Sequence, residues 1–191
     1  MRHLALAAGA LALAASLAGA QTTTWVSDPN HSEVDFEIGH MSVSNVHGRF
    51  GGVDATIQYD AGDVTKSTVK ATIGVGTVDT GVQGRDNDLK GPKYFDIATF
   101  PSATFTSTSV KKNGDKLSIA GNLTLHGITK PVTLDVEGPT APVTDPRNKV
   151  HRGFSASTTI NRVDFGIAPQ VPSAMLGDEV KLTIELDVIQ Q

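Results

Sequence analysis

A chain of 191 residues with a formal charge of −4 and no cysteine is long enough for one domain with a sizeable core, which must hold without disulfides. The missing thiols also exclude thiolate chemistry, cysteine-based zinc sites and acylation of an N-terminal cysteine. A mildly acidic balance, −5 once Arg2 leaves with a leader, carries no electrostatic footprint for nucleic acid and argues against polybasic attachment to anionic membranes.

Residues 1–20 read as a cleaved secretory signal. Arg2 and His3 give a positive start, Leu4 to Leu17 an apolar run too short to span a bilayer, and Ala18-Gly19-Ala20 an A-x-A ending. The mature domain is expected at 21–191, exported and soluble.

From there the pattern has period two. Val34, Phe36 and Ile38 alternate with acidic residues; Val53, Ala55, Ile57 and Tyr59 follow, then Val69, Ala71, Ile73 and Val75. Between Thr80 and Asp96 the alternation fails, and the Thr80–Gln83 spacing predicts a capping box opening a short helix within 80–96. Alternation returns at Leu117, Ile119, Leu123 and Leu125, then at Val132, Leu134 and Val136. Gly138 to Asn148 reads as one long surface loop. Phe154 to Ile160 and Val180 to Val188 supply the last strands, and Asn113-Gly114 is a strong hairpin signal.

These runs predict an all-β fold, a single antiparallel barrel or sandwich of about eight strands. Each strand has one apolar face, and no helix is long enough to cover a flat sheet. Eight strands enclose an interior that side chains fill or that holds one slender ligand. With aromatic content at 5%, the inward faces leave room along the axis.

Catalytic signatures are poor. Gly153-Phe154-Ser155-Ala156-Ser157 lacks the last glycine of a nucleophile elbow, and Gly74-Val75-Gly76 lacks the third glycine of a dinucleotide loop. No enzymatic activity is expected, and no nucleophile–base pair can be placed for chemistry on a bound lipid. His31, His40, His47, His126 and His151 offer imidazole for zinc or copper, but without H-x-H or H-E-x-x-H spacing. A periplasmic metal-binding or stress-related protein using these histidines is the alternative reading. Arg85-Asp86-Asn87-Asp88 lies beside Tyr94, Phe95 and Phe100; it reads either as an anionic head-group site or as a salt-bridged surface closing the barrel. Arg49, Arg152 and Arg162 could serve the same head group. Phe36, Phe50, Phe105, Phe154 and Phe165 fit a plain core equally well.

Four blocks, in order, resemble the YceI-like polyisoprenoid-binding family. They are Asp28-Pro29-Asn30-His31-Ser32 with Val34 to Ile38 and Gly48-Arg49-Phe50; Arg85 to Leu89 through Tyr94-Phe95-Asp96 to Phe105; Gly121 to Val132; and Asn161 to Gly166 with Gly177-Asp178-Glu179-Val180. The resemblance implies a lipocalin-like barrel with a long pocket for a polyisoprenoid of prenyl phosphate or prenylquinone type, an exported location and, commonly, a homodimer. Transient membrane contact would accompany lipid carriage, with no cofactor beyond the lipid. The expected apolar lining is Phe36, Ile38, Phe50, Ile57, Val69, Ile73, Phe95, Phe105, Leu123, Leu134, Phe154, Ile160, Phe165 and Ile184. The expected head-group contacts are Arg85, Asp86, Tyr94 and Arg162. One departure stands out: Asp88 precedes Leu89 where relatives usually carry histidine.

Overall fold

The computed structural model describes residues 22–191, so the leader and its cleavage point lie outside the described residues. Eleven strands are present: β1 (Thr22–Ser27), β2 (Glu33–His40), β3 (Ser44–Gly51), β4 (Asp54–Asp60), β5 (Thr68–Gly74), β6 (Ser102–Asn113), β7 (Lys116–Leu125), β8 (Ile128–Glu137), β9 (Val143–Thr144), β10 (Val150–Asn161) and β11 (Leu176–Gln190). One α-helix, α1 (Gln83–Lys90), lies between β5 and β6.

Eight strands close into an antiparallel barrel in the order β11-β1-β4-β5-β6-β7-β8-β10, with β10 pairing back to β11. Closure rests on the length of β11. One edge pairs with β10 from His151↔Ile189 to Asn161↔Glu179. The other edge is shared: Val188–Gln190 pair with β1, and Val180–Glu185 pair with β2. The β2–β3 hairpin therefore prolongs the wall past the eight-stranded ring, and an Arg49↔Asp79 bridge ties β3 to the chain after β5.

The expected alternation holds where it was read. Val34 lies on the buried face of β2, Ile57 on that of β4, Ile119 on that of β7, Ala156 and Ile160 on that of β10. Three strands besides the short β9 escaped the pattern. The apolar positions of β3, Val46 and Phe50, are separated by Gly48. In β6 a bulge between Ser107 and Ser109 shifts the phase, so inward Ala103 and Phe105 are followed by inward Val110. A single buried residue, Trp25, marks β1.

The expected capping box is corrected. Helix α1 starts after Val82 with no side-chain cap. Asp86, not Gln83, reaches back to accept from the Thr80 amide (2.9 Å) and hydroxyl (2.5 Å). The expected loop at Gly138–Asn148 contains β9, which pairs with Val150 and His151.

Beside that loop, His151 of β10 forms an ion pair with β11. His151 Nδ1–H donates to Asp187 at 2.7 Å, while Nε2 lies 3.6 Å from Asp145, too far for a hydrogen bond. The bond to Asp187 holds the imidazole pKa above its ordinary value. A raised folded-state pKa stabilises the fold fully below the unfolded value and is lost as pH rises through the folded one. Comparing the wild type with His151→Gln, the Tm gap is therefore expected to be larger at pH ~5.5 than at pH ~9. A gap independent of pH would remove the ion pair from this account.

Candidate functional site

The barrel axis is hollow, with an inner chamber of about 130 Å³ and an outer one of about 390 Å³. They share a waist formed by Val34, Ile73, Leu123 and Leu182, which line both. The walls of the inner chamber are aliphatic and aromatic except for Ser67 and Thr158. The outer chamber gains a polar border of His40, Arg85, Asp88, Tyr94 and Arg162.

Two glycines explain how a barrel with several phenylalanines stays open. A Cβ on Gly48 would collide with the Phe36 ring, and one on Gly121 with the Phe105 ring. Phe36 faces Gly48 directly across the β2–β3 ladder. The rings thus lie along the wall, over bare backbone, instead of projecting across the axis. Small inward residues, Ala71 and Ala156, leave further space.

At the far end the barrel is stoppered. Trp25, Ile57 and Val188 form a buried cluster. The Arg152 guanidinium sits over the rings of Trp25 (5.4 Å) and Tyr59 (5.5 Å). Arg152 faces inward in phase with Phe154 and Ala156, and its Nε is buried without a partner. The other end is the mouth, where His40 and Asp88 are exposed.

Thirteen of the expected lining residues reach a chamber wall. Ile57, Val69, Phe105, Leu134, Phe154 and Ile184 line the inner chamber; Phe36, Ile38, Phe50, Phe95 and Ile160 line the outer; Ile73 and Leu123 line both. Phe165 is the exception. It lies on a 3-10 turn beyond β10, 2% exposed, packed with Ile160 and Ile167 outside the lining. Tyr94 and Arg85, expected at a head group, border the outer chamber. Asp86 does not, because both of its bonds go to Thr80. Arg85 is partly spent on the same residue: Nε donates to the Thr80 hydroxyl (2.7 Å) and Nη2 to its carbonyl (2.9 Å). Arg49 is exposed and pairs with Glu33 and Asp79. Pattern reading missed Val46, Leu89, Ile167 and Leu176, all of them outer-chamber residues. Leu125 and Val180, at strand ends, were legible as inward positions; Leu89, on a helix without a strong apolar face, was not.

The histidines are dispersed. His31 pairs with Asp28, His151 with Asp187, and His126 Nδ1–H donates to the Phe165 carbonyl at 3.1 Å while its ring meets Phe100 edge-on. Among the described residues no group of three or more His, Cys, Asp or Glu is placed to hold a metal ion.

The YceI-like domain model matches residues 25–188. The chain belongs to the YceI-like family. Protein YceI from Salmonella newport is 41% identical over 161 residues, covering 84% of this chain and 83% of that protein. The YceI protein of Campylobacter jejuni is 31% identical with a TM-score of 0.71, covering 81% of this chain and 90% of that one. The same fold appears in BcnA of Burkholderia cenocepacia (TM-score 0.73, 23% identity, 84% and 98% covered). It also appears in a polyisoprenoid binding domain from Saccharophagus degradans (TM-score 0.61, 15% identity, 88% and 99% covered).

Within this YceI-like barrel the block Asn161 to Gly166, with Gly177-Asp178, has a structural task. Arg162 is 2% exposed and was expected at a head group, but its donors are all used. Nε bonds Gly177 O; Nη1 bonds Ile167 O and Ala168 O; Nη2 bonds Val171 O, Leu176 O and the Asp178 carboxylate at 2.8 Å. One side chain therefore satisfies three carbonyls of the β10–β11 connection and two at the start of β11. Arg162→Ala is expected to cost roughly 3–5 kcal/mol in chemical denaturation, and Arg162→Lys to recover little, because a point charge cannot reproduce the planar fork. A loss under about 1 kcal/mol would contradict this assignment.

Proposed function

We propose that this chain is an exported, non-enzymatic carrier or reservoir that holds one polyisoprenoid lipid in the barrel interior and works in the periplasm. The observation that carries this reading is the shape and chemistry of the interior: two apolar chambers joined end to end through an aliphatic waist. A long hydrocarbon chain gains about 0.8 kcal/mol per buried CH₂, so such a tunnel can bind tightly with few polar contacts. A compact ligand would use one chamber and waste the other. Family membership and the polyisoprenoid binding domain of the same fold support the choice of an isoprenoid.

Polarity sets the orientation. The inner end offers an aromatic stopper, whereas the outer chamber ends among Arg85, Asp88 and Tyr94. The prenyl tail runs inward and the head group, a prenyl phosphate or prenylquinone, stays at the mouth. Arg85 borders the outer chamber and retains donors not committed to Thr80, which leaves it able to bond that head group. Asp88 stands close by and disfavours a fully ionised phosphate unless Arg85 offsets it.

The first test is mass spectrometry of an organic extract from protein purified without detergent. A stoichiometric prenyl lipid is expected; a clean extract together with no uptake of added prenyl lipids would end the carrier reading. Blocking the waist is the sharper test. Leu182→Trp should abolish binding of long prenyl chains while leaving short prenols that fit the outer chamber, with Tm shifted by only a few degrees. Equal loss of short and long chains would place the binding elsewhere. Arg85→Gln is expected to weaken an anionic prenyl phosphate by about tenfold and to leave an uncharged prenol unchanged in a competition assay.

A further inference from the structure

The mouth carries an apolar rim that the cavity does not use. Val43 is 83% exposed, Met41 49% and Met175 48%, and the three belong to two loops held side by side. The Met41 amide donates to the Met175 carbonyl at 3.0 Å, and the Ser42 hydroxyl to the Ala174 carbonyl at 3.4 Å. Met41 and Ser42 both have positive φ (53° and 55°), so the β2–β3 turn is a tight, fixed projection. His40, Val46 and Leu176, immediate neighbours in the chain or next in phase, line the outer chamber. Apolar residues of the chamber wall, Val46 and Leu176, are thus followed on the outside by Val43, Met41 and Met175, with no carboxylate among them.

The charges around this rim are equally selective. The protein is acidic, yet there is no Asp or Glu from Ile38 to Val53, and no charged residue at all from Gly166 to Gly177. His40, His47 and Arg49 are the titratable or charged groups from Ile38 to Val53; the carboxylates bonded to residues at these loops lie outside them and are already paired, Glu37 with Asn45 and Lys181, and Asp178 with Ser173 and Arg162, while Asp88 borders the chamber. Inserting these two loops into a lipid interface would desolvate no carboxylate of their own.

We propose that the tip formed by Met41, Val43 and Met175 is a membrane-docking wedge that seats the mouth on a bilayer, so that a prenyl chain passes between leaflet and barrel without crossing water. This rests on the carrier reading for its purpose but not for its measurement. The full mature chain, without added prenyl lipid, is floated with equimolar phosphatidylethanolamine–phosphatidylglycerol vesicles. The wild type is expected to float, and the Val43→Glu/Met175→Glu double variant to lose about tenfold or more of its vesicle partitioning. Neither residue lines a chamber, so uptake of a fluorescent prenol delivered from ethanol should be unchanged in the variant. Failure of the wild type to float, or equal flotation of the two proteins, overturns the wedge. If the substitutions instead turn a dimer into a monomer with flotation unchanged, the rim belongs to a second copy and the proposal is overturned. Should the wild type float but take up no prenol, the wedge stands and the carrier reading falls.

Discussion

Everything in this barrel depends on β11 pairing along both edges. Its ladder with β10 closes the ring, and the division of its other edge between β1 and β2 makes the ring longer than eight short strands would be. A strand of 15 residues can serve two partners in series because they meet it at different heights. The lower half of the wall then consists of β2 and β3 instead of β1 and β4. That offset elongates the interior, so the cavity takes the form of two chambers in line. A one-residue slip of β11 would turn Val180, Leu182, Ile184 and Leu186 outward together, and both chambers would lose one wall. Arg162 protects that register at its start by fixing the connection from β10.

An empty interior works against stability, since unfilled space forfeits packing contacts. Here the void is confined to the axis while the remaining inward atoms are well packed. Val53, Ala55 and Val188 are almost fully buried, and Phe36 and Phe105 are laid flat over Gly48 and Gly121. The glycines matter because each removes the one side chain that would push a ring toward the axis. Retaining an apolar tunnel at this cost makes physical sense if a ligand fills it, because a bound hydrocarbon restores the missing contacts and stabilises the fold by mass action.

The sequence revealed the strands because their inward residues keep period two over β2, β4, β5, β7, β8, β10 and β11, while closure into a barrel rather than a sandwich came from the family resemblance. It hid β6 because one bulged residue reverses the phase, and a phase reversal looks like the end of a strand. It hid β3 because Gly48, the inward residue of that stretch, is inward by its lack of a side chain. The lining was legible for the same reason as the strands, since inward and lining are one property in a hollow barrel. Phe165 departed from it because the period of two ends at Asn161 and a helical turn follows. The polar residues were harder. Arg85, Asp86 and Arg162 look alike in sequence, yet one borders the mouth, one braces Thr80 and one is spent on backbone carbonyls. Which acceptors an arginine finds is decided by chain segments that composition does not place.

The two ends of the tunnel also differ in how they treat charge. At the inner end Arg152 meets no carboxylate among the described residues; it rests on Trp25 and Tyr59, and its Nε has no acceptor there. A cation held on ring faces keeps the stopper closed while adding no anion that would draw water into the barrel. At the mouth, by contrast, hydrogen-bonding groups are exposed and partly uncommitted, and apolar residues of the wall are followed on the outside by Met41 and Met175. A symmetric tube would accept a chain from either side and orient nothing. An aromatic stopper facing a polar, apolar-rimmed mouth would impose one direction of entry on a lipid of the proposed kind, and that direction would leave its head group at the mouth.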